Sequence, residues 1–218
     1  MSFSAWLNQL DFSYVLDLGI SALAALLCIC FHESAHGLCA LWMGDRTAKN
    51  AGRITLNPLR HVDLVGLILL AVAHVGWAKP VPSDARNFRR PKLGMVLTAL
   101  AGPVSNFLLA LPAAFFFLLF SCLEWGYPML FFYYLTIITC GLGVFNLIPI
   151  PPLDGSKVLF GLLPKKYYWL LMRYEKYGMI LLVILVALGT FSGILSTGVD
   201  AVANLAVRLM DPLVALFF

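Results

Sequence analysis

Residues 32–36 read His-Glu-Ser-Ala-His and have the spacing of a catalytic metal site. On a helix, residues four positions apart share a face, so His32 and His36 can direct ring nitrogens at one ion. Glu33 lies about 100° further around the helix, where its carboxylate can deprotonate a water held by the metal. The pattern therefore predicts two metal ligands and a general base for hydrolysis.

This motif directly follows an uninterrupted apolar run, residues 20–31. Ionisable groups inside a membrane helix are costly, and where they occur they usually serve function. The alternative is a chance HExxH, a pattern that occurs in unrelated helices. An apolar helix offers no simple structural role for a glutamate between two histidines, so the position favours a metal site at membrane depth.

The composition predicts an integral membrane protein. Of the 218 residues, 61% are hydrophobic and 12% are charged, and the mean hydropathy is +0.89. Soluble domains are about 45–50% apolar and about 25% charged. The first residues lack the basic region of a signal peptide, so the first apolar segment is expected to stay as a helix. The five cysteines form no CxxC pair and are expected to be buried apolar residues.

Apolar segments long enough to cross a bilayer occur four times, and a fifth is too short. The short segment, 64–78, is expected to be re-entrant or to contain a strand, and 52–58 alternates as a short strand would. The fold class predicted is an all-α membrane protein, a polytopic bundle of about four spanning helices. The spans predicted are 15–43, 93–122, 129–150 and 178–197.

The predicted domain organisation is an intramembrane metalloprotease-type core over 1–197 and an apolar or amphipathic tail over 198–218. All Lys and Arg residues except Arg208 lie in 46–60, 79–92 and 157–176. The positive-inside rule places these segments in the cytoplasm, with His32 and His36 near the cytoplasmic end of the first helix. Topology explains the net charge of +4, so no nucleic acid partner is expected.

A catalytic zinc usually has three protein ligands, and the helix supplies only two. Cys28 shares their face, but about 12 Å of helix rise separates it from His36, so one ion cannot bind all three. Asp154 is the best candidate, because the topology places it level with the histidines where prolines end the third span. Asp63 and His61 lie on the same side and stay open as rivals.

These elements together resemble the site-2 protease family of intramembrane zinc metalloproteases, peptidase family M50. The resemblance covers about residues 20–160, and its motifs follow the order found in the family. The motifs are HESAHG (32–37), NPLRHVDLVG (57–66), GWAKPVP (76–82), AGPVSN (101–106) and NLIPIPPLDG (146–155).

The resemblance implies that His32, His36 and Asp154 bind one zinc ion per chain, with Glu33 as the general base. It implies that Asn106 lies near the catalytic centre and that Asn146 lines the substrate cleft, and both are predicted to be substrate-binding residues that could hold the substrate backbone or the oxyanion. Interhelical hydrogen bonding is an open alternative for both asparagines. The family cleaves transmembrane segments, so the expected partners are a single-span membrane protein substrate and the lipid bilayer. Self-association into a homo-oligomer stays open.

The chain departs from the family pattern in having Ser156 where many members have a second glycine. It also lacks a PDZ-like insert and a CBS-like domain, so it resembles a minimal core. Its small size favours a bacterial or archaeal plasma membrane. Two alternatives stay open, a membrane metal-ion transporter and an inactive protease-like protein that binds membrane partners. Glu33 argues against the transporter, because transport needs no general base.

Overall fold

The computed structural model describes residues 12–63, 79–164 and 177–218, which are almost entirely helical outside the connecting loops. No strand occurs in these residues, and four of the helices are long and apolar enough to cross a membrane, namely α1, α3, α4 and α7. The all-α polytopic fold class is thereby confirmed. The helices are α1 Phe12–Met43, α2 Thr47–Asn50, α3 Pro91–Cys122, α4 Gly126–Asn146, α5 Asp154–Leu162, α6 Tyr177–Ala187 and α7 Ser192–Val214.

Helix α3 is the centre of the bundle and packs against α1, α4, α5 and α7. The buried residues at these interfaces are mostly small, which lets helix backbones approach closely in a membrane. One cluster joins α1, α3 and α4, and a second joins α3, α4 and α7. Their buried members are Ala24, Cys28, Ala113 and Leu135 in the first, and Ala110, Ala114, Cys140, Ala203 and Ala206 in the second.

The predicted span 178–197 is wrong as a continuous helix, because the chain turns between α6 and α7. Gly189 has φ +66, and its N–H donates to Val186 O while Thr190 N–H donates to Leu185 O. This pair of bonds is the Schellman motif, which ends a helix at a left-handed glycine. The following helix, Ser192–Val214, runs through the predicted domain boundary at residue 197, so the division into core and tail stays a prediction.

The strand predicted over 52–58 is also wrong. Gly52 turns the chain with φ +63, and the Asn57 side chain accepts the Leu59 N–H to start a 3-10 turn, Pro58–Arg60. These local hydrogen bonds replace strand pairing. The re-entrant or strand-containing segment 64–78 lies outside the described residues, as do residues 1–11.

Three elements and one loop segment surround the predicted site. Helix α1 carries the HExxH motif, α3 lies behind it, and α5 begins at Asp154. Residues 79–88, which we call the cavity segment, close the side near Glu33. The core of small residues thus fixes the two long helices, and the loops add the remaining groups.

Candidate active site

Three side chains converge on one point from distant parts of the chain. His32 and His36 lie one turn apart on α1, and Asp154 is the first residue of α5. The Nε2 atoms of the histidines are 3.0 Å apart, and Asp154 Oδ2 lies 3.2 Å from His32 Nε2 and 3.1 Å from His36 Nε2. Ligand atoms of a tetrahedral zinc ion are about 3.3 Å apart, given zinc–ligand bonds of about 2.0–2.2 Å. The donor set therefore fits zinc.

The tautomer of His36 is fixed from behind by helix α3. Its Nδ1 lies 2.6 Å from the backbone carbonyl oxygen of Thr98. A carbonyl can only accept, so Nδ1 carries the proton and Nε2 is left with a lone pair for the metal. Such a bond to the non-ligating nitrogen is the usual way in which proteins orient a metal-binding histidine.

Asn106 holds His32 in the corresponding way. Its side chain is fully buried, and Nδ2 lies 3.1 Å from His32 Nδ1. When Nε2 binds a metal, Nδ1 carries the proton and needs an acceptor, which a 180° rotation of the amide provides. Cys28 Sγ lies 3.8 Å from Asn106 Oδ1, and Thr139 Oγ1 donates to the Asn106 backbone carbonyl at 3.1 Å. Asn106 therefore lies behind His32 rather than along the cavity.

Gly102 lies between these two contacts, where both imidazole rings rest on the α3 backbone. A Cβ atom at residue 102 would lie 2.5 Å from Cε1 of His32 and 2.5 Å from Cε1 and Nε2 of His36. No other residue type fits without moving the histidines. Thr98, Gly102 and Asn106 are four residues apart in turn and form one stripe, which we call the α3 face.

Asp154 reaches the histidines because the loop before it packs tightly on α5. A Cβ atom at Gly155 would clash with the backbone carbonyl group of Leu147. Asp154 Oδ1 faces Lys157 Nζ at 3.4 Å, which leaves Oδ2 toward the histidines. Burial raises the pKa of Asp154, but the neighbouring His32 and His36 side chains and the Lys157 ammonium group outweigh it, and the pKa lies well below its usual range. Asp154 is therefore ionised, as a metal ligand must be.

Glu33 faces the same cavity as the three donors. The cavity has a volume of about 520 Å³ and is lined by residues of α1, α3, α5 and the cavity segment. Glu33 Oε2 accepts a hydrogen bond from the backbone N–H of Val81 at 2.8 Å. Glu33, the predicted general base, is thus held at one carboxylate oxygen by the cavity segment.

Buried and paired carboxylates anchor the far part of the cavity segment. Asp45, fully buried after α1, accepts Asp84 N–H at 2.7 Å and Asn87 Nδ2–H at 3.0 Å. Burial raises the pKa of Asp45, but its hydrogen bonds with Thr47, Asp84 and Asn87 outweigh this, so the pKa lies below its usual value. Hydrogen bonds from Arg86 lower the pKa of Asp84 to about 2.

The rivals for the third ligand lie elsewhere. His61 is buried, and its Nε2 lies 2.8 Å from the carbonyl oxygen of Thr55. Across residues 12–63, 79–164 and 177–218, His32, His36 and Asp154 form the one group of His, Cys, Asp or Glu residues whose ligand atoms could share an ion. Asp63 and Cys28 are not part of it. All five cysteines are free, but the expected burial holds only for Cys28, Cys30 and Cys140, because Cys39 is partly exposed and Cys122 is exposed.

Asn146 is the last residue of α4 and lines the cavity. Its Nδ2 donates to Leu142 O at 3.0 Å, which leaves one N–H and the amide oxygen of the side chain for another partner. Three other contacts of the site were not predicted from the sequence: those of the Thr98 carbonyl, the Val81 N–H and Lys157. Two of these are backbone groups, which any residue type could supply.

The protein resembles known metalloproteases in sequence. The model of "Peptidase family M50" matches residues 121–189. YwhC of Bacillus subtilis is 39% identical over 195 residues, which cover 84% of this chain and 88% of YwhC. The chain belongs to peptidase family M50, the site-2 protease family. Its four long apolar helices agree with an integral membrane protein.

Two further relatives are more distant. The zinc metalloprotease MJ0392 of Methanocaldococcus jannaschii is 35% identical over 42% of this chain and 26% of its own length. Rip2 of Mycolicibacterium smegmatis is 28% identical over 73% of this chain and 63% of its own length. The names of all three relatives contain the words zinc metalloprotease. No solved structure matches the chain significantly.

Proposed function

We propose that this protein is an intramembrane zinc metalloprotease that hydrolyses peptide bonds in or near transmembrane segments of membrane-bound proteins. The observation that carries the proposal is the convergence of three metal donors and one carboxylate at a single cavity. The donors are His32, His36 and Asp154, and the carboxylate is Glu33. The family and the names of the relatives support the same activity.

In this proposal, His32 and His36 would bind one zinc ion per chain through Nε2, and Asp154 would bind it through Oδ2. Bound zinc lowers the pKa of a coordinated water and polarises the scissile carbonyl group. Glu33 accepts a proton from the attacking water and delivers it to the amine that leaves as the C–N bond breaks. One water is consumed for each peptide bond, and the products are a carboxylate and an amine.

The two asparagines take different roles. Asn146 lines the cavity, so we keep it as the residue that holds the substrate backbone or the oxyanion. Asn106 is fully buried behind His32, so we assign it to orienting that ligand instead of to substrate contact. The substrate class would be a single-span membrane protein, which reaches the site from the bilayer.

The charges near the cavity support an active site toward the cytoplasm. Arg86 and Lys157 line the cavity and belong to two of the three basic segments of the chain. Basic segments remain on the cytoplasmic side of a membrane protein. The relatives come from bacteria and an archaeon, which supports a prokaryotic plasma membrane as the location.

The test is cleavage of a single-span model substrate by the purified protein in detergent, with zinc measured in the same samples. We expect the wild type to cleave and Glu33→Gln to be inactive while both hold about one zinc per chain. Removing a general base costs about 10²- to 10⁴-fold in rate. Equal cleavage by both proteins would exclude Glu33 as the base, and a folded wild type without zinc would contradict the metal site.

A further inference from the structure

Arg53 is a buried cation near the active site that the catalytic assignment does not use. Its side chain is largely buried, and among the described residues no carboxylate lies within ion-pair distance of it. Its Nε has no hydrogen-bond partner there. A buried charge without a counter-ion is costly, so its remaining contacts need an explanation.

Those contacts are two backbone carbonyl groups of the cavity segment. Arg53 Nη2 donates to Lys79 O at 2.5 Å and to Pro80 O at 3.1 Å. The guanidinium therefore fixes the orientation of two successive peptide units. Hydrogen bonds from a charged donor are about twice as strong as neutral ones, which suits a residue that must hold a loop in one conformation.

The second of these peptide units, Pro80–Val81, also supplies a hydrogen bond to Glu33. Val81 N–H donates to Glu33 Oε2 at 2.8 Å. Pro80 and Pro82 have no N–H, so Val81 provides the one backbone donor between Lys79 and Ser83. Because the peptide group is planar, the direction of the Val81 N–H is set by that of the Pro80 carbonyl, which Arg53 holds.

The cavity segment packs closely against α1 at Gly37. A Cβ atom at Gly37 would lie 3.4 Å from Val81 Cγ1 and 2.9 Å from Ile54 Cγ1. Lys79 N–H donates to His61 O at 2.8 Å, which ties the start of the segment to the loop that also carries Arg53. Arg53 and Val81 thus belong to one assembly that packs against α1 beside Glu33.

We propose that Arg53 is a positioning residue for Glu33, acting through the carbonyl groups of Lys79 and Pro80 and the N–H of Val81. This inference rests on the proposed function, in which Glu33 is the general base. Arg53 contacts neither the metal donors nor the catalytic carboxylate. Its loss therefore affects proton transfer more than metal binding or substrate binding.

The decisive variants act on the two ends of the same path. Arg53→Met removes the donors and keeps an unbranched side chain, while Arg53→Lys restores a cation. Val81→Pro removes the N–H that reaches Glu33, and Val81→Ala keeps it as the matched control. Because Val81 already precedes a proline, its backbone is expected to be extended, a conformation that proline tolerates.

The measurements are kcat, KM and zinc content with the single-span substrate in detergent. We expect Arg53→Met and Val81→Pro to lower kcat by about 10- to 100-fold, a part of the contribution of a general base. KM should stay within about threefold of wild type, with about one zinc per chain. Val81→Ala, which keeps the N–H, should retain a clearly higher kcat than Val81→Pro, and Arg53→Lys should recover part of the lost kcat.

The outcomes separate this inference from the proposed function. A wild type that cleaves nothing would contradict the proposed function. If the wild type cleaves and a folded, zinc-containing Arg53→Met has an unchanged or raised kcat, the role of Arg53 is overturned, whatever the result for Val81→Pro. If Arg53→Met loses zinc or does not fold, the Val81 pair decides. A lower kcat in Val81→Pro than in Val81→Ala supports the path through the Val81 N–H to Glu33. Equal kcat in both Val81 variants overturns it.

Discussion

The α3 face and the cavity segment border the same site but are held by different forces. The α3 face contacts the histidines at three residues. The Thr98 backbone carbonyl and the buried Asn106 amide face ring nitrogens, and Gly102 has no side chain that would keep the rings away. The cavity segment is held by the buried charges of Arg53 and Asp45. Helix packing therefore positions the proposed metal ligands. Hydrogen bonds to charged groups position the cavity segment beside the proposed general base. We expect substitutions in the two regions to change different quantities, zinc affinity in one and turnover in the other.

The largest effect is expected for Gly102→Ala. The added methyl group would lie 2.5 Å from ring atoms of both His32 and His36, so the helices or the rings must move apart. We expect zinc affinity to fall by more than about tenfold and cleavage to be lost, as for other disruptions of ligand orientation. Metal analysis of the purified protein after dialysis measures the change.

The matched control is Gly141→Ala, a glycine within α4 whose added Cβ would have its nearest neighbour at 3.9 Å. That variant should keep its zinc. A Gly102→Ala protein with a full zinc complement would show that the α3 face does not hold the histidines as described.

Asn106→Ala should weaken zinc binding by about 10- to 100-fold, since it removes the group that orients His32. The Asn146→Ala variant sharpens the comparison between the two asparagines. It should keep wild-type zinc affinity and lose turnover, because Asn146 lines the cavity. A competition titration with a chelator gives the affinities, and the reverse order of effects would exchange the two roles.

Asp45→Ala tests the far anchor of the cavity segment. The substitution leaves Asp84 N–H and Asn87 Nδ2–H without their acceptor. We expect a loss of about 1–3 kcal/mol in the free energy of unfolding, with zinc content unchanged. Hydrogen exchange should become faster in residues 83–88, whereas the exposed Asp211→Ala should leave that exchange as in wild type.

The smallest effect is expected for Arg86→Ala. Hydrogen bonds from Arg86 hold the pKa of Asp84 at about 2, so the variant should return this pKa toward its usual value. A lowered pKa contributes stability that is present above the unfolded value and is lost as the pH falls toward the folded value. The wild type should therefore be slightly more stable than Arg86→Ala at neutral pH, and this difference should disappear as the pH falls between about pH 4 and pH 2. Unfolding in mixed micelles across this range measures it.

The sequence was informative where side chains carry the function. The i, i+4 spacing of His32 and His36 predicted that their ring nitrogens meet, the resemblance added Asp154, and the structure brings the three side chains together. It was uninformative where backbone groups act. The contacts of the Thr98 carbonyl and the Val81 N–H cannot be predicted from residue type. A glycine at position 102 does not by itself reveal which side chains pack against it.

The predictions of the fold divide in a similar way, between apolar segments that were predicted and local hydrogen bonds that were not. Long apolar runs predicted three of the spans, because burial in lipid demands them. The fourth was misplaced, since Gly189 ends a helix within a run that is apolar on both sides. The strand over 52–58 was inferred from alternation, but local capping by Asn57 decides the structure there. Short-range hydrogen bonds thus outweighed the hydrophobic pattern in both places.

The position of Asp154 in the chain has a consequence for biosynthesis. The third donor is made more than a hundred residues after His36 and becomes available only once α4 and the loop that packs on Gly155 are in place. A metal ion that joins such distant residues closes a long loop and contributes its binding energy to folding. A nascent chain would therefore carry two histidines and no complete site until most of the bundle had assembled. The order of synthesis itself would keep the unfinished protein inactive.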